Sequence, residues 1–334
     1  MAADPMAGVK IACVGECMIE LNQIDLVQGG ARLGFAGDTL NTSVYLSRLG
    51  CDVSYITNLG TDAFSTQMLH RFEAEGINCG LIGRHEARLP GLYAIETDPS
   101  GERSFRYWRE ASAARTVFSG VGASLADLTA FDVIYQSGIT LAILPPEVRR
   151  ALIAAAKDLK DAGKQVVFDT NHRPRLWPDA ATARASFDAM WAATSLALPS
   201  YDDEERLYPG LSPSQVIDRI SGLGPDEVVL KNGARGPMIR SHGTTVQTAM
   251  AEAVQVVDTS GAGDSFNAGY LAARSAGAEP LQAAATGHRL ASTVIAHHGA
   301  VIPREAMPAF SAACAVHLWD IRKTAMHQMV VFST

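Results

Sequence analysis

Short apolar runs alternate with longer stretches of helical periodicity along most of this chain. Residues 9–15 (VKIACVG) are apolar and β-branched and predict a buried strand. Residues 38–49 predict a helix capped by Asp38 and stopped by Gly50. A strand at 52–58 and a helix at 62–75, ended by Gly76, complete the first unit. Further strands are predicted at 133–135, 166–168, 196–198 and 228–230, separated by Ala-rich helical stretches such as 148–162. This alternation predicts an α/β fold with a doubly wound, mostly parallel sheet flanked by helices. Ligands of such sheets sit outside the carboxyl ends of the strands, so chemistry is sought there.

Two segments break the pattern. Residues 89–97, the turn 98–101 and residues 103–108 read as a β-hairpin with alternating aromatic residues. Residues 20–35 carry little helical signal. Together, segments 20–36 and 88–110 predict either a small β-sheet projecting as a lid or an antiparallel edge on the main sheet. After Pro308 the apolar tail, 309–334, fits a helix, a strand or an extension, and no role is read from it.

The chain has 334 residues, 47% of them hydrophobic, and no shift of composition divides it. One large domain over 9–308 is expected. The net charge of −7 argues against a broad basic surface for nucleic acid or anionic lipid. Cys13, Cys17, Cys51, Cys79 and Cys314 are odd in number and lack metal-ligand spacing, which predicts reduced thiols. Neither a signal peptide nor a membrane span is visible, so a soluble, cytoplasmic protein is expected. The sequence leaves a homo-oligomer open.

The sharpest chemical signal is the stretch 256–270, VVDTSGAGDSFNAGY. A strand at 253–257 is predicted to run into a glycine turn, followed by a helix with Phe266, Tyr270 and Leu271 facing inward. Gly261 and Gly263 leave backbone N–H groups uncovered at a helix N-terminus, a favourable anion site. Asp264 there is either an ordinary helix cap or a proton acceptor beside a bound phosphate. No Gly-Lys-Ser/Thr follows, and a third glycine is missing, which excludes a Walker A loop and a dinucleotide fingerprint.

DTSGAGDSF closely resembles the C-terminal signature of ribokinase-like (PfkB) carbohydrate kinases. GECMIEL at 15–21 and FAGDTLNTSVYLSRLG at 35–50 resemble the same family's N-terminal part. The resemblance implies the ribokinase-like fold with a small β-sheet lid, ATP as phosphoryl donor and Mg²⁺ as its companion. It also implies Asp264 as catalytic base and an anion hole from Gly261, Ala262 and Gly263.

Four further stretches look like the members of the family that phosphorylate the sugar acid 2-keto-3-deoxygluconate. They are 88–93, 101–103 with 107–109, 171–177 and 302–308, and the similarity runs from about residue 10 to 308. It implies that Gly37, Asp38 and Asn41 hold substrate hydroxyls. Tyr93, Tyr107 and Arg109 would reach in from the lid, and Arg173 from the body. A sugar acid carries a carboxylate that neutral sugars lack, and arginine pairs with it through two parallel hydrogen bonds. Taken singly, Tyr93 and Tyr107 equally suit an edge strand, and Arg109 a solvated surface.

The turn Lys231-Asn232-Gly233-Ala234-Arg235-Gly236 follows an apolar strand and resembles the family's nucleotide loop. Lys231 and Arg235 are the charges for the phosphates, Gly233 and Gly236 the close-approach points, and Asn171 a further nucleotide contact. Many family members carry Asn-x-x-Glu to organise the metal; here Ser200 and Asp203 stand in those places, and Glu204 adjoins them. The metal ligands are therefore unassigned. His172 lies inside a motif of the site; His297 and His298 read as ordinary packed or surface residues. A kinase for a neutral sugar such as fructose or ribose, a nucleoside kinase, and a catalytically silent sugar-binding protein on the same fold stay open.

Overall fold

The structure, a computed structural model, describes residues 8–97, 103–250, 255–309 and 330–332. In chain order, β1 (Lys10–Val14), β2 (Met18–Asp25) and β3 (Gly30–Ala36) precede α1 (Asp38–Arg48) and β4 (Asp52–Ile56). Then come β5 (Asn58–Gly60), α2 (Ala63–Ala74), β6 (Gly83–His85), β7 (Gly91–Thr97), β8 (Arg103–Trp108) and β9 (Val133–Ser137). The middle holds α3 (Gly138–Ile143), α4 (Pro146–Asp161), β10 (Gln165–Asp169), α5 (Ala180–Ala192), β11 (Leu196–Ala197), α6 (Tyr201–Leu207) and α7 (Pro213–Leu223). It closes with β12 (Glu227–Leu230), β13 (Met238–Ser241), β14 (Thr244–Gln247), α8 (Ala262–Ser275), α9 (Pro280–Val294) and β15 (Val330–Phe332).

The large sheet runs β15-β14-β13-β12-β11-β10-β9-β1-β4. From β4 to β12 every pairing is parallel, and β13, β14 and β15 add an antiparallel edge. Side chains alternate between its two faces, as the two-residue period of a strand requires. Ile11 and Cys13 of β1 join one core with α1, α2, α8 and α9. Ala12 and Val14 join the other, with α3, α4, α5 and α7. Burial of each large apolar side chain contributes about 1.5–3 kcal/mol, so two full faces hold the sheet in place.

The predicted helix at 62–75 forms as α2, with Asp62 accepting from Ser65 N at 3.0 Å and Gly76 at φ +80° behind it. The predicted helix at 148–162 starts two residues earlier, because Pro146 suits a first turn that needs no donor. Three expectations need correction. The strand at 52–58 breaks after Ile56 and resumes as β5, which pairs with β6 instead of the main sheet. The predicted strand at 253–257 lies partly outside the described residues, and 255–257 are not a strand. There Val257 N and Asp258 N both donate to Ile295 O at the end of α9, so no sheet neighbour receives them. Finally, Asp38 does not cap α1: Gly37 is the cap residue, and the Asp38 carboxylate is bonded elsewhere.

The segments that broke the α/β pattern form a separate four-stranded sheet, ordered β3-β2-β7-β8, and not an edge of the large one. Its hairpin registers Leu92 with Trp108 and Thr97 with Arg103; the turn at 98–101 lies outside the described residues. Tyr93, Phe105 and Tyr107 group on one face, with ring centroids 5.8–6.4 Å apart. Among the described residues no helix is long and apolar enough to cross a membrane. Cys13, Cys17, Cys51 and Cys79 are free thiols, and burial pushes Cys13 and Cys51 up to about 12, the ionisation of inert thiols.

Candidate active site

Strands β1, β9, β10 and β12 run parallel, so their carboxyl ends share one rim of the sheet. Glu16, Ser137, Asp169 to Asn171 and Lys231 stand on that rim or just beyond it. Helices α1 and α8 deliver their N-termini to the same place.

Helix α8 begins at Gly261, whose φ of +73° is a left-handed conformation that glycine adopts without strain. A Cβ there would lie 2.6 Å from Ala300 O, so only glycine fits the packed backbone. Ala262 N donates to Thr259 O at 3.2 Å, closing the turn. The N–H groups of Gly263 and Asp264 are in the first helical turn, where no intrahelical partner exists. They and the helix dipole leave partial positive charge at the start of α8.

Asp264 is the third residue of α8, and its side chain does not cap the helix. Its Oδ2 accepts from Asn41 Nδ2 at 2.8 Å, on the facing helix α1. The residue keeps some solvent contact, yet its carboxyl is packed closely by protein. That desolvation, with the negative charge of Asp38 next, raises its pKa to about 7; the Asn41 bond opposes the shift. A carboxylate with that affinity can take a proton from a hydroxyl near neutrality.

Asp38 is buried, and its Oδ2 accepts from Ser137 Oγ at 2.5 Å and Asn171 Nδ2 at 2.7 Å. Asn171, at φ +29°, thus holds the Asp38 carboxylate in place. Lys231 Nζ bridges Asp169 Oδ1 and Asn267 Oδ1, each at 2.9 Å. It also lies 3.7 Å from where a Cβ on Gly263 would stand, so the ammonium adjoins the anion loop. Asn267 in turn donates to Asp169 Oδ2 at 2.8 Å and to Tyr135 Oη at 3.0 Å. Neither Asp169 nor Asn267 was singled out from the sequence. The signals were there: Asp169 directly follows the strand predicted at 166–168, and Asn267 follows Asp264 by three residues, one helical turn.

Other expected residues lie in different settings. Gly233, Ala234 and Arg235 form an exposed 3-10 turn beyond Lys231. Gly236, at φ +77°, is packed against Thr248 O, which a Cβ would approach to 2.1 Å. Tyr93 Oη donates to Glu20, while Tyr107 is 39% exposed. Arg109, against the surface reading, is buried and ion-paired with Glu16. Arg173 is half exposed, donates to His172 O at 3.1 Å and stands 3.8 Å from Asp203. His172 is buried with its ring edge-on to Phe187, and desolvation lowers its pKa to about 4, so it is neutral. His297 Nδ1 contacts Thr293 O at 2.9 Å, an ordinary packed role.

For a divalent ion the chain offers no cage: among the described residues no group of three or more His, Cys, Asp or Glu could hold one. Asp203 is buried and burial raises its pKa, an effect that the neighbouring Asp169 strengthens. Asp169 and Asp203 therefore lie close enough to repel each other.

The pfkB family carbohydrate kinase model matches residues 9–307. The chain is 45% identical over 315 residues to the 2-dehydro-3-deoxygluconokinase of Dickeya dadantii (strain 3937), covering 91% of this chain and 100% of that one. It is 44% identical over 309 residues to the enzyme of that name in Escherichia coli (strain K12), covering 90% and 99%. A putative ribokinase II from E. coli, solved in complex with ATP and Mg²⁺, shares the fold with a TM-score of 0.78 at 20% identity, covering 95% and 99%.

Proposed function

The chain belongs to the pfkB family of carbohydrate kinases, and we propose that it phosphorylates 2-keto-3-deoxygluconate (2-dehydro-3-deoxygluconate) in the cytoplasm. The γ-phosphoryl group of ATP passes to the terminal hydroxyl, giving the 6-phosphate and ADP. The observation that carries this reading is end-to-end identity of 44–45% with kinases named for that sugar acid.

In this reading Asp264 accepts the proton of the attacking hydroxyl, and its pKa of about 7 matches that task. The free amides at the start of α8, that of Gly263 among them, stabilise the transferring phosphoryl group together with the α8 dipole, while Gly261 and Ala262, whose amide is bonded to Thr259 O, shape the turn. Lys231 adds positive charge beside them, and Gly233, Arg235 and Gly236 border the nucleotide. Gly37, Asp38 and Asn41 present the sugar hydroxyls to Asp264. Tyr93, Tyr107, Arg109 and Arg173 serve the rest of the sugar acid, the two arginines its carboxylate. Asp169 and Asp203 would help to hold Mg²⁺, which would supply positive charge to offset the triphosphate.

The test is ADP release from the purified protein with 2-keto-3-deoxygluconate, its galactonate counterpart, fructose and ribose. The kcat/KM on the sugar acid is expected to exceed that on either neutral sugar by at least about 100-fold. Equal use of fructose or ribose would overturn the substrate assignment, and no ADP with any sugar would overturn the kinase reading.

A further inference from the structure

The lid sheet joins the body at one residue that the family pattern left without a role. Glu16 follows β1, and its side chain is fully buried. Its carboxylate is ion-paired with Arg109 Nη2 and accepts from Ser112 Oγ at 2.5 Å. Arg109 is the residue after β8, and Met18, two residues beyond Glu16, opens β2. The other two strand roots touch Glu16 as well. A Cβ on Gly91, the first residue of β7, would lie 3.0 Å from Glu16 Oε1 and 3.1 Å from Arg109 Cβ. A Cβ on Gly37, just after β3, would lie 2.0 Å from Glu16 O. The ends of all four lid strands therefore lie around Glu16, those of β7 and β8 at its carboxylate and that of β3 at its backbone carbonyl.

The same contacts lead to the reacting groups. Gly37 is the cap residue of α1, and α1 carries Asp38 and Asn41, the latter bonded to Asp264. On the other side, the Arg109 guanidinium lies 5.8 Å from the centroid of the Tyr107 ring on the lid. Glu16 takes only Nη2. Among the described residues Arg109 Nε is buried and without an acceptor. A buried donor without a partner carries a desolvation cost that an anionic ligand would relieve. A guanidinium held at one nitrogen, with another still unsatisfied, is oriented for a second carboxylate.

We propose that Glu16 is a positioning residue for the sugar acid: it fixes Arg109 where the lid meets the body, so that lid placement and carboxylate recognition are set together. Ser112, holding the other oxygen of Glu16, keeps the pair in register. This inference rests on the sugar-acid reading above, in which Arg109 meets the substrate carboxylate. Glu16 itself touches no reacting atom in it and acts through Arg109.

The experiment compares Glu16→Gln and Ser112→Ala with the wild-type protein by two readouts. Steady-state kinetics should show KM for 2-keto-3-deoxygluconate rising about tenfold in Glu16→Gln, while KM for ATP changes less than about twofold. Amide hydrogen exchange, without substrate, should quicken in β2, β7 and β8 and stay unchanged in β10 and β12. Ser112→Ala, which keeps the ion pair, should move both readouts the same way by about threefold, and it carries the test if Glu16→Gln does not fold. Wild-type values of KM in the variants, with or without faster lid exchange, would overturn the proposal. A wild-type protein inactive on the sugar acid would instead sink the functional reading. The anchoring of the lid would then be judged by exchange alone, and unchanged exchange would remove it too.

Discussion

Asn41 Nδ2 donates to Asp264 Oδ2 at 2.8 Å, joining the first turns of α1 and α8. The bond does two things. It orients one carboxylate oxygen, and it favours the charged form against burial and the nearby Asp38, which both favour the neutral one. In the proposed reaction a sugar hydroxyl at the N-terminus of α1 would stand next to the group that deprotonates it.

Replacing Asp264 with Asn should reduce kcat by about 10²–10⁴-fold, with little change in KM for the sugar acid. The amide preserves shape and can still accept from Asn41. Steady-state ADP release measures both constants, and a kcat within about threefold of wild type would remove Asp264 from the role of base.

The pH profile should carry the same signature. The base must be ionised, so kcat/KM should fall as pH drops through about 7. The two neighbours push in opposite directions: Asn41→Ala should move the acid limb to higher pH, and Asp38→Asn to lower pH. Profiles over pH 5–9 check this, and limbs that shift together would contradict the electrostatic account.

Stability should depend on the same proton. The folded pKa of Asp264 is raised above its ordinary value of 3.8, so the folded state binds the proton more tightly than the unfolded chain. The resulting stabilisation is complete below pH 4 and is lost as pH rises through about 7. Asp264→Asn should therefore be more stable than wild type at pH 8, by on the order of 1–3 kcal/mol, and indistinguishable near pH 4. Urea unfolding at the two pH values decides it.

Tyr45, inside α1, ties that helix to the segment beneath the anion loop. Its hydroxyl donates to Ala300 O at 2.7 Å and accepts from Ile302 N at 3.1 Å, and Ala300 is the residue that packs on Gly261. Tyr45→Phe keeps the ring but leaves a carbonyl and an amide unpaired, a loss of about 1–3 kcal/mol. Gly261→Ala should do worse, since it adds a left-handed strain of about 1–2 kcal/mol to the steric overlap. Denaturant midpoints give the stabilities, and kcat should fall more in Gly261→Ala than in Tyr45→Phe.

Lys231 is partnered by a buried carboxylate, so Lys231→Met should cost about 3–5 kcal/mol by leaving the Asp169 charge without its cation, with only the Asn267 bond remaining. The double change Lys231→Met with Asp169→Asn should recover part of that stability while KM for ATP stays raised. Recovery of both together would mean that the ammonium has a structural role alone.

The apolar alternation along the chain sufficed for the parallel sheet and its two layers, because a strand buried on both faces must be apolar throughout and a helix needs only one apolar stripe. The glycine turn that starts α8 was also legible, since glycine spacing at a helix start is a local property of the backbone. Residue contacts far apart in sequence were not. Asp38 looks like a helix cap until Ser137 and Asn171, on β9 and after β10, take its carboxylate. Arg109 looks like a surface residue until the lid folds back and buries it against Glu16. Whether segments 20–36 and 88–110 formed a separate sheet or an edge of the main one was likewise decided by packing, because either arrangement satisfies the same local pattern. Local patterns are set by neighbours along the chain; charge pairing and proton affinity are set by neighbours in space, and only the folded chain brings those together.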